Sequence, residues 1–321
     1  MSDFKSFLAP YIEEYKTWCE STGIWTVEKR VKIKNFDKFC MNEYAKDIEL
    51  SQSAVDEWAK KKITEEFNSC RTRVSILCAF LKFTNARKYT DVVLPELPKK
   101  QNCKFIPHAF TEHELQEFFR HTDHMPVRKG SIDSVIKAMT YPVYFRLLYS
   151  SGLRTCEARW LKVSDVDLEK GVLNVHKTKG SVEHYVVLHE SMLEAMRMYN
   201  QSISKYIPNR MYFFSKRDGI NHISRERVNH YFRLIWKKVS SEYANPYAFR
   251  HNYAIENINS WTGDKYQFFD KFVYLSKSMG HTNIESTKYY YSLVPGLADT
   301  IEQYSNDSFD ELVPEVDYGE K

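Results

Sequence analysis

Glycine and proline are sparse, ten of each in 321 residues, and low-complexity tracts are missing, which excludes collagen-like and disordered classes. Long apolar runs are missing as well. Ser75 to Phe83, with Lys82 inside it, falls well short of the roughly 20 residues needed to cross a bilayer, so no membrane partner is expected. The opening residues, Met1-Ser2-Asp3-Phe4-Lys5, lack the basic flank, apolar stretch and cleavage site of a secretory signal, and a cytoplasmic location is expected. Cysteine is thin, with six residues at 19, 40, 70, 78, 103 and 156. They form no C-x-x-C pair and no short His/Cys ligand spacing, which argues against a disulfide framework or a zinc ribbon. Buried, reduced thiols are expected, with no metal and no cofactor. Neither charge dominates: 46 Lys and Arg against 42 Asp and Glu leave +4, too mild to indicate nucleic-acid binding by itself.

What is present is core-forming material, 43% hydrophobic and 15% aromatic. At roughly 150 residues per domain the length predicts two domains. Residues 1 to about 94 read as successive helices, with Leu8, Ile12 and Tyr15, then Ile33, Phe36 and Cys40, then Val74, Leu77 and Leu81 at helical spacing. Basic residues flank these rows: Lys29, Arg30, Lys32, Lys34 and Lys38 in one segment, Lys60, Lys61 and Lys62 in another, Arg71 and Arg73 in a third. They suit either one basic surface or ordinary solvated charges. The stretch from Pro95 to Pro107 has three prolines and the lysines Lys99, Lys100 and Lys104, and reads as an extended linker. Beyond it, Thr111 with Glu114 three residues later forms a capping box that opens a helix.

Between Trp160 and Leu188 the pattern turns to short β-branched runs, 163–168, 171–175 and 184–188, predicting a three-stranded meander inside a helical domain. Trp160 and Trp236 are expected in the core. His121, His124, His184 and His189 are expected in ordinary surface or core roles. The stretch from Asn306 is acidic, following Leu297, Ile301 and Tyr304 at helical spacing.

Four segments carry reactive residue types. Gly152-Leu153-Arg154-Thr155-Cys156-Glu157 follows an apolar helix and places an arginine just after a helix-ending glycine. Lys177-Thr178-Lys179-Gly180-Ser181 forms the turn between the second and third strands. Then come Tyr247-Ala248-Phe249-Arg250-His251 and the run from Met279 through Gly280-His281 to Thr287 and Tyr289-Tyr290-Tyr291.

Together these segments resemble the ordered motifs of the tyrosine recombinase, or phage integrase, family. Its G-L-R-x-x-E motif is matched by Gly152 to Glu157, which carries a phosphate-binding role onto Arg154 and a supporting carboxylate onto Glu157. The hairpin lysine of K-G-x-x-x-x-x-V-P-L falls on Lys179, with Val187 where proline is common. The H-x-x-R-H box is matched at Arg250 and His251, but Tyr247 stands at its first position. The L-G-H-x-x-I-x-x-T-x-x-Y box maps Gly280, His281, Ile284, Thr287 and Tyr290, with Met279 for leucine. Spacing from His281 selects Tyr290 as nucleophile over its two neighbours.

The resemblance implies a mainly α architecture with a small antiparallel meander. A helical DNA-clamping domain would occupy residues 1–98, a linker 99–107, a catalytic domain 108–294, and a terminal helix with an acidic tail 295–321, docking on a neighbouring subunit. It implies double-stranded DNA as partner, bound as a dimer per site and a tetramer on synapsed sites, with Lys60, Lys61, Lys62, Arg71, Arg73, Lys99, Lys100 and Lys104 as DNA-contacting residues. The implied reaction is site-specific strand exchange through a 3′-phosphotyrosine. Arg154 and Arg250 would steady charge on the phosphate, His281 would add a hydrogen bond, and Lys179 would give a proton to the leaving 5′-hydroxyl. Tyr247 can donate a hydrogen bond but is a poorer proton acceptor than histidine, and His251 is expected to support Arg250. Two alternatives stay open: a DNA-binding accessory protein that has lost cleavage, and a relaxer resembling type IB topoisomerases.

Overall fold

A computed structural model describes residues 3–101, 107–176, 182–261, 268–283 and 287. The chain divides into two compact units, Met1–Phe105 and Ile106–Lys321. The first contains α1 (Ala9–Ser21), α2 (Val27–Glu43), α3 (Gln52–Ala59) and α4 (Phe67–Ala86). The three apolar rows read from sequence are buried and share one core, to which Trp58 and Phe80 contribute aromatic bulk; of the nine residues, Val74 packs in a small adjoining cluster. Thr26 and Ser51 cap α2 and α3 by accepting from the N–H groups of Lys29 and Ala54. α4 packs against the other three helices. Buried Asp37 anchors the chain start by accepting from the backbone of Lys5 (2.9 Å) and Ser6 (3.0 Å) and from the Ser6 hydroxyl (2.6 Å).

Arg73 departs from its expected place on a basic surface. It is buried, with a bidentate ion pair to Glu65 (2.9 and 2.6 Å) and further bonds to the carbonyls of Trp58 and Lys60. Its guanidinium ties the loop after α3 to α4, so it has no face left for DNA. The cause is spacing: Arg73 precedes Val74 on the inward side of α4.

The second unit runs α5 (Glu112–Asp123), α6 (Ile132–Ser151), α7 (Thr155–Trp160), β1 (Val166–Asp167), β2 (Val172–Val175), β3 (His184–Val187), α8 (Glu190–Ser204), α9 (Arg225–Trp236), α10 (Ala248–Asn259) and α11 (Phe268–Ser278). The Thr111–Glu114 capping box is present at the start of α5. Helix α6 is the hub, packed by α5, α7, α8 and α10. Around it Phe118, Phe145, Phe232, Trp236 and Phe249 form a cluster of aromatic rings with mostly edge-to-face or tilted contacts.

The sheet is antiparallel in the order β1-β2-β3, pairing Val166 with Leu173 and Val172 with Val187. Leu173, Val175, His184 and Val186 face inward. The first strand is shorter than predicted. The Asp165 carboxylate accepts the Lys162 N–H at 2.9 Å and folds Val163–Asp165 into a 3-10 turn, leaving two residues extended. Trp236 is buried as expected, whereas Trp160, last residue of the short α7, is 45% exposed. Helix α7 is too brief to bury both of its sides. Among the described residues, no helix is long and apolar enough to cross a membrane.

Candidate active site

Helix α6 ends at Gly152, whose φ of 64° is the left-handed conformation that glycine adopts freely. The reversed chain sets Arg154 at the N-cap of α7. Three residues on, Glu157 is fully buried and holds Arg154 twice, through the backbone N–H and through Nη1, each at 2.8 Å. Burial opposes ionisation of this carboxyl. The Arg154 backbone and side-chain bonds, with the charges of Arg154 and Arg250, outweigh it and hold Glu157 below the usual carboxylate range.

Arg250 enters from the first turn of α10 and is 1% exposed. Its Nη1 donates to the Gly152 carbonyl (2.6 Å), and its Nη2 donates to the Met279 carbonyl (2.8 Å) and to His281 Nε2 (2.8 Å). Its Nη1 lies 4.0 Å from Glu157, while Arg154 reaches the same Met279 carbonyl at 3.4 Å. Two arginines far apart in the chain thus meet on one carboxylate and one carbonyl. The buried Arg250 Nε has no hydrogen-bond partner among the described residues.

His281 follows α11 and Gly280. A guanidinium only donates, so Nε2 must accept and the ring proton sits on Nδ1, which donates to the buried Thr287 hydroxyl at 2.7 Å. Burial first, then the charges of Arg250 and Arg154, lowers His281 to about 3. His251, one residue after Arg250, is buried and lowered to about 4 by burial and by that arginine. Its ring meets Tyr247 edge to face at 4.9 Å, so Tyr247 stands beside Arg250 on α10's entry turn while remaining 39% exposed.

Beside this centre lies a cleft of about 630 Å³ whose lining includes Tyr247, Cys156, Arg159, Arg225, Asn229 and Arg233. Sequence reasoning missed it. Arg225, Asn229 and Arg233 recur every four residues along α9, a polar stripe on one helix face that spacing alone reveals. In the first unit, Lys60, Lys61, Lys62, Lys99 and Lys100 are exposed. Lys100 and half-buried Arg71 line an open cleft of about 500 Å³ with Lys29, Asn68 and Thr72. Lys104, Lys179, Tyr290 and the 295–321 segment lie outside the described residues. Among those described, no three His, Cys, Asp or Glu side chains are gathered as a metal site.

The profile of the Phage integrase family matches residues 108–295. Tyrosine recombinase XerC of Bacillus subtilis (strain 168) is 24% identical over 306 residues, which cover 90% of this chain and 91% of that one. A probable integrase/recombinase of Acholeplasma phage L2 is 25% identical over 267 residues, covering 82% and 80%. In fold, the Tn1549 transposon integrase in complex with transposon right end DNA aligns with a TM-score of 0.59 at 15% identity, covering 94% of this chain and 99% of that one. A lambda integrase tetramer bound to a Holliday junction aligns at 0.59 and 15%, covering 88% and 76%. With Arg154, Glu157, Arg250 and His281 inside a match that spans more than half its length, the chain belongs to the phage integrase family of tyrosine recombinases.

Proposed function

We propose that this protein is a site-specific DNA recombinase or integrase that cleaves and rejoins duplex DNA through a 3′-phosphotyrosine and serves a mobile element. The observation that carries the reading is the meeting of Arg154, Arg250 and His281 around Glu157 and the Met279 carbonyl. Two fixed guanidiniums can donate to the non-bridging oxygens of one phosphate, where charge grows as the phosphorane-like transition state forms. Glu157 keeps Arg154 in place without neutralising Arg250, from which it stands further off.

In this reading the Tyr290 oxygen attacks phosphorus, the bond from phosphorus to the 5′ oxygen breaks, and Lys179 gives that oxygen a proton. The phosphotyrosyl bond conserves the energy of the phosphodiester, so a second strand's 5′-hydroxyl reverses the step without ATP. Tyr247 donates a hydrogen bond to the phosphate. Residues 1–98 clamp the duplex through exposed lysines, 99–107 link, and 108–294 carry out the chemistry. The Arg225–Arg233 stripe adds phosphate contacts. A structure of lambda integrase is a tetramer bound to a Holliday junction, which supports a dimer per site and a tetramer on synapsed DNA, with 295–321 docking on a neighbour. Relatives named as phage and transposon integrases support a mobile element as the DNA served.

The test is covalent capture on a nicked suicide duplex, followed by mass spectrometry of the peptide that carries DNA. The DNA is expected on Tyr290, with Tyr290→Phe binding DNA but capturing none. Capture on Tyr289 or Tyr291, or no capture at all, would refute the assignment.

A further inference from the structure

A cavity of about 230 Å³ opens between the start of α6, the loop at 215–218 and α9. It stands apart from the reactive centre. Tyr141, in its lining, precedes Gly152 by eleven residues of α6, about 16 Å of helix. Arg227, also in its lining, lies two residues, about 200° of turn, round α9 from Arg225. The cavity and the Arg225–Arg233 cleft thus occupy opposite faces of that helix.

Most polar groups in the cavity wall are already engaged. The Thr140 hydroxyl donates to the Ile136 carbonyl at 2.7 Å, and that of Ser215 donates to the carbonyls of Lys216 and Asn221 at 2.9 and 3.1 Å. Asp218 accepts from the N–H groups of Ile220 and Asn221 and from the Asn221 side chain, closing its own turn. Tyr141 differs. It is 3% exposed, its ring packs on Tyr231 at 4.4 Å, and its hydroxyl has no hydrogen-bond partner among the described residues. Burial first, then Tyr231, raises this phenol above its usual range against the opposing charge of Arg227, so it stays a neutral O–H.

Four cations, Lys137, Lys216, Arg217 and Arg227, line the cavity with two carboxylates, Asp133 and Asp218, a surplus of two positive charges. Arg217 stands 3.7 Å from Asp133 with both side chains mostly exposed, a weak pair. Half-buried Lys137 lies over the Tyr231 ring at 5.4 Å. Among the described residues no carboxylate lies within 4 Å of Lys137, Lys216 or Arg227. A positive surplus beside a buried neutral donor suits an anion with a double charge and several acceptor oxygens, which a carboxylate is not.

We propose that this cavity binds a phosphate group, with Tyr141 and the Arg227 guanidinium donating to its oxygens and Lys137 and Lys216 balancing its charge. The space is smaller than the roughly 300–1,000 Å³ of drug-sized sites and takes a phosphate with a small substituent. Such a group comes from a free phosphorylated molecule or from the backbone of a bound duplex. Binding of the free anion does not depend on the proposed function.

The experiment titrates inorganic phosphate into the full chain by calorimetry, comparing wild type with Tyr141→Phe, Arg227→Gln, Arg227→Lys and Lys205→Gln. Tyr141→Phe keeps the packed ring and loses only the hydroxyl, while Lys205, exposed at the end of α8, controls for net charge. Tyr141→Phe and Arg227→Gln are each expected to weaken phosphate binding about tenfold, Arg227→Lys about threefold, and Lys205→Gln not at all. A second arm measures duplex affinity at several salt concentrations. If Arg227→Gln lowers the slope of log affinity against log salt by about 0.9, the source is the DNA backbone; if the slope holds, it is a free phosphorylated molecule. No phosphate binding by wild type, binding that Tyr141→Phe and Arg227→Gln leave unaltered, or an equal loss in Lys205→Gln, would overturn the proposal. A wild type that shows the expected phosphate pattern but captures no DNA would refute the proposed function and leave this site standing.

Discussion

Gly152→Ala probes the joint between fold and chemistry. At φ 64°, an alanine pays about 1–2 kcal/mol for the left-handed backbone. Its Cβ would also stand 2.3 Å from Cδ1 and 2.9 Å from Cγ and Cε1 of Tyr253, a ring mounted on the same helix as Arg250. Relieving that overlap costs about 1–3 kcal/mol more. The expected total is about 2–5 kcal/mol, measured as the loss in urea stability of the larger unit. Gly130→Ala is the control, because φ is 77° there and a Cβ meets nothing within 4 Å, so only the backbone cost applies. Catalysis should separate the two more sharply. The Gly152 carbonyl accepts Arg250 Nη1 at 2.6 Å, and a displacement of about 1 Å at such a bond can cost about 10²-fold in rate. Folded Gly152→Ala should therefore capture DNA about 10²-fold more slowly, Gly130→Ala at the wild-type rate. Adding Tyr253→Ala should recover the packing part of the stability loss. Equal stabilities and equal capture rates for the two glycine variants would refute the reasoning.

Other outcomes follow from the same geometry. Arg73→Ala removes the bidentate cationic partner of Glu65 at a nearly buried site and should destabilise the first unit by about 3–5 kcal/mol in urea titrations, while Lys61→Ala changes stability little. Glu157 is held below the usual carboxylate range, so its contribution is complete at neutral pH and lost as pH falls through that range. Glu157→Gln should accordingly be less stable than wild type at pH 7, the gap narrowing toward pH 3 in parallel urea titrations. Arg225→Ala with Arg233→Ala should lower the slope of log affinity against log salt by about 0.9 for each phosphate left without its cation, measured by DNA titration at several salt concentrations; an unchanged slope would place the α9 stripe off the DNA.

Local order determined much of this protein, and local order is written in sequence. The apolar rows of α1, α2 and α4, the Thr111–Glu114 capping box, the helix stop at Gly152 and the three-strand meander depend on neighbours within a few residues, where spacing and cap chemistry decide conformation. The identities of Arg154, Arg250 and His281 were legible for a different reason, their match to an ordered set of motifs. What tertiary structure alone decided was who meets whom. Arg73 and Lys61 look alike in sequence, yet one is consumed by Glu65 and two carbonyls while the other stays in water. Trp160 is exposed because α7 is short. The proton on His281 Nδ1 follows from an arginine 31 residues away and a threonine whose hydroxyl completes the chain of bonds. Such pairings arise from packing between distant elements, where burial and the directionality of donors, rather than periodicity, select the partner.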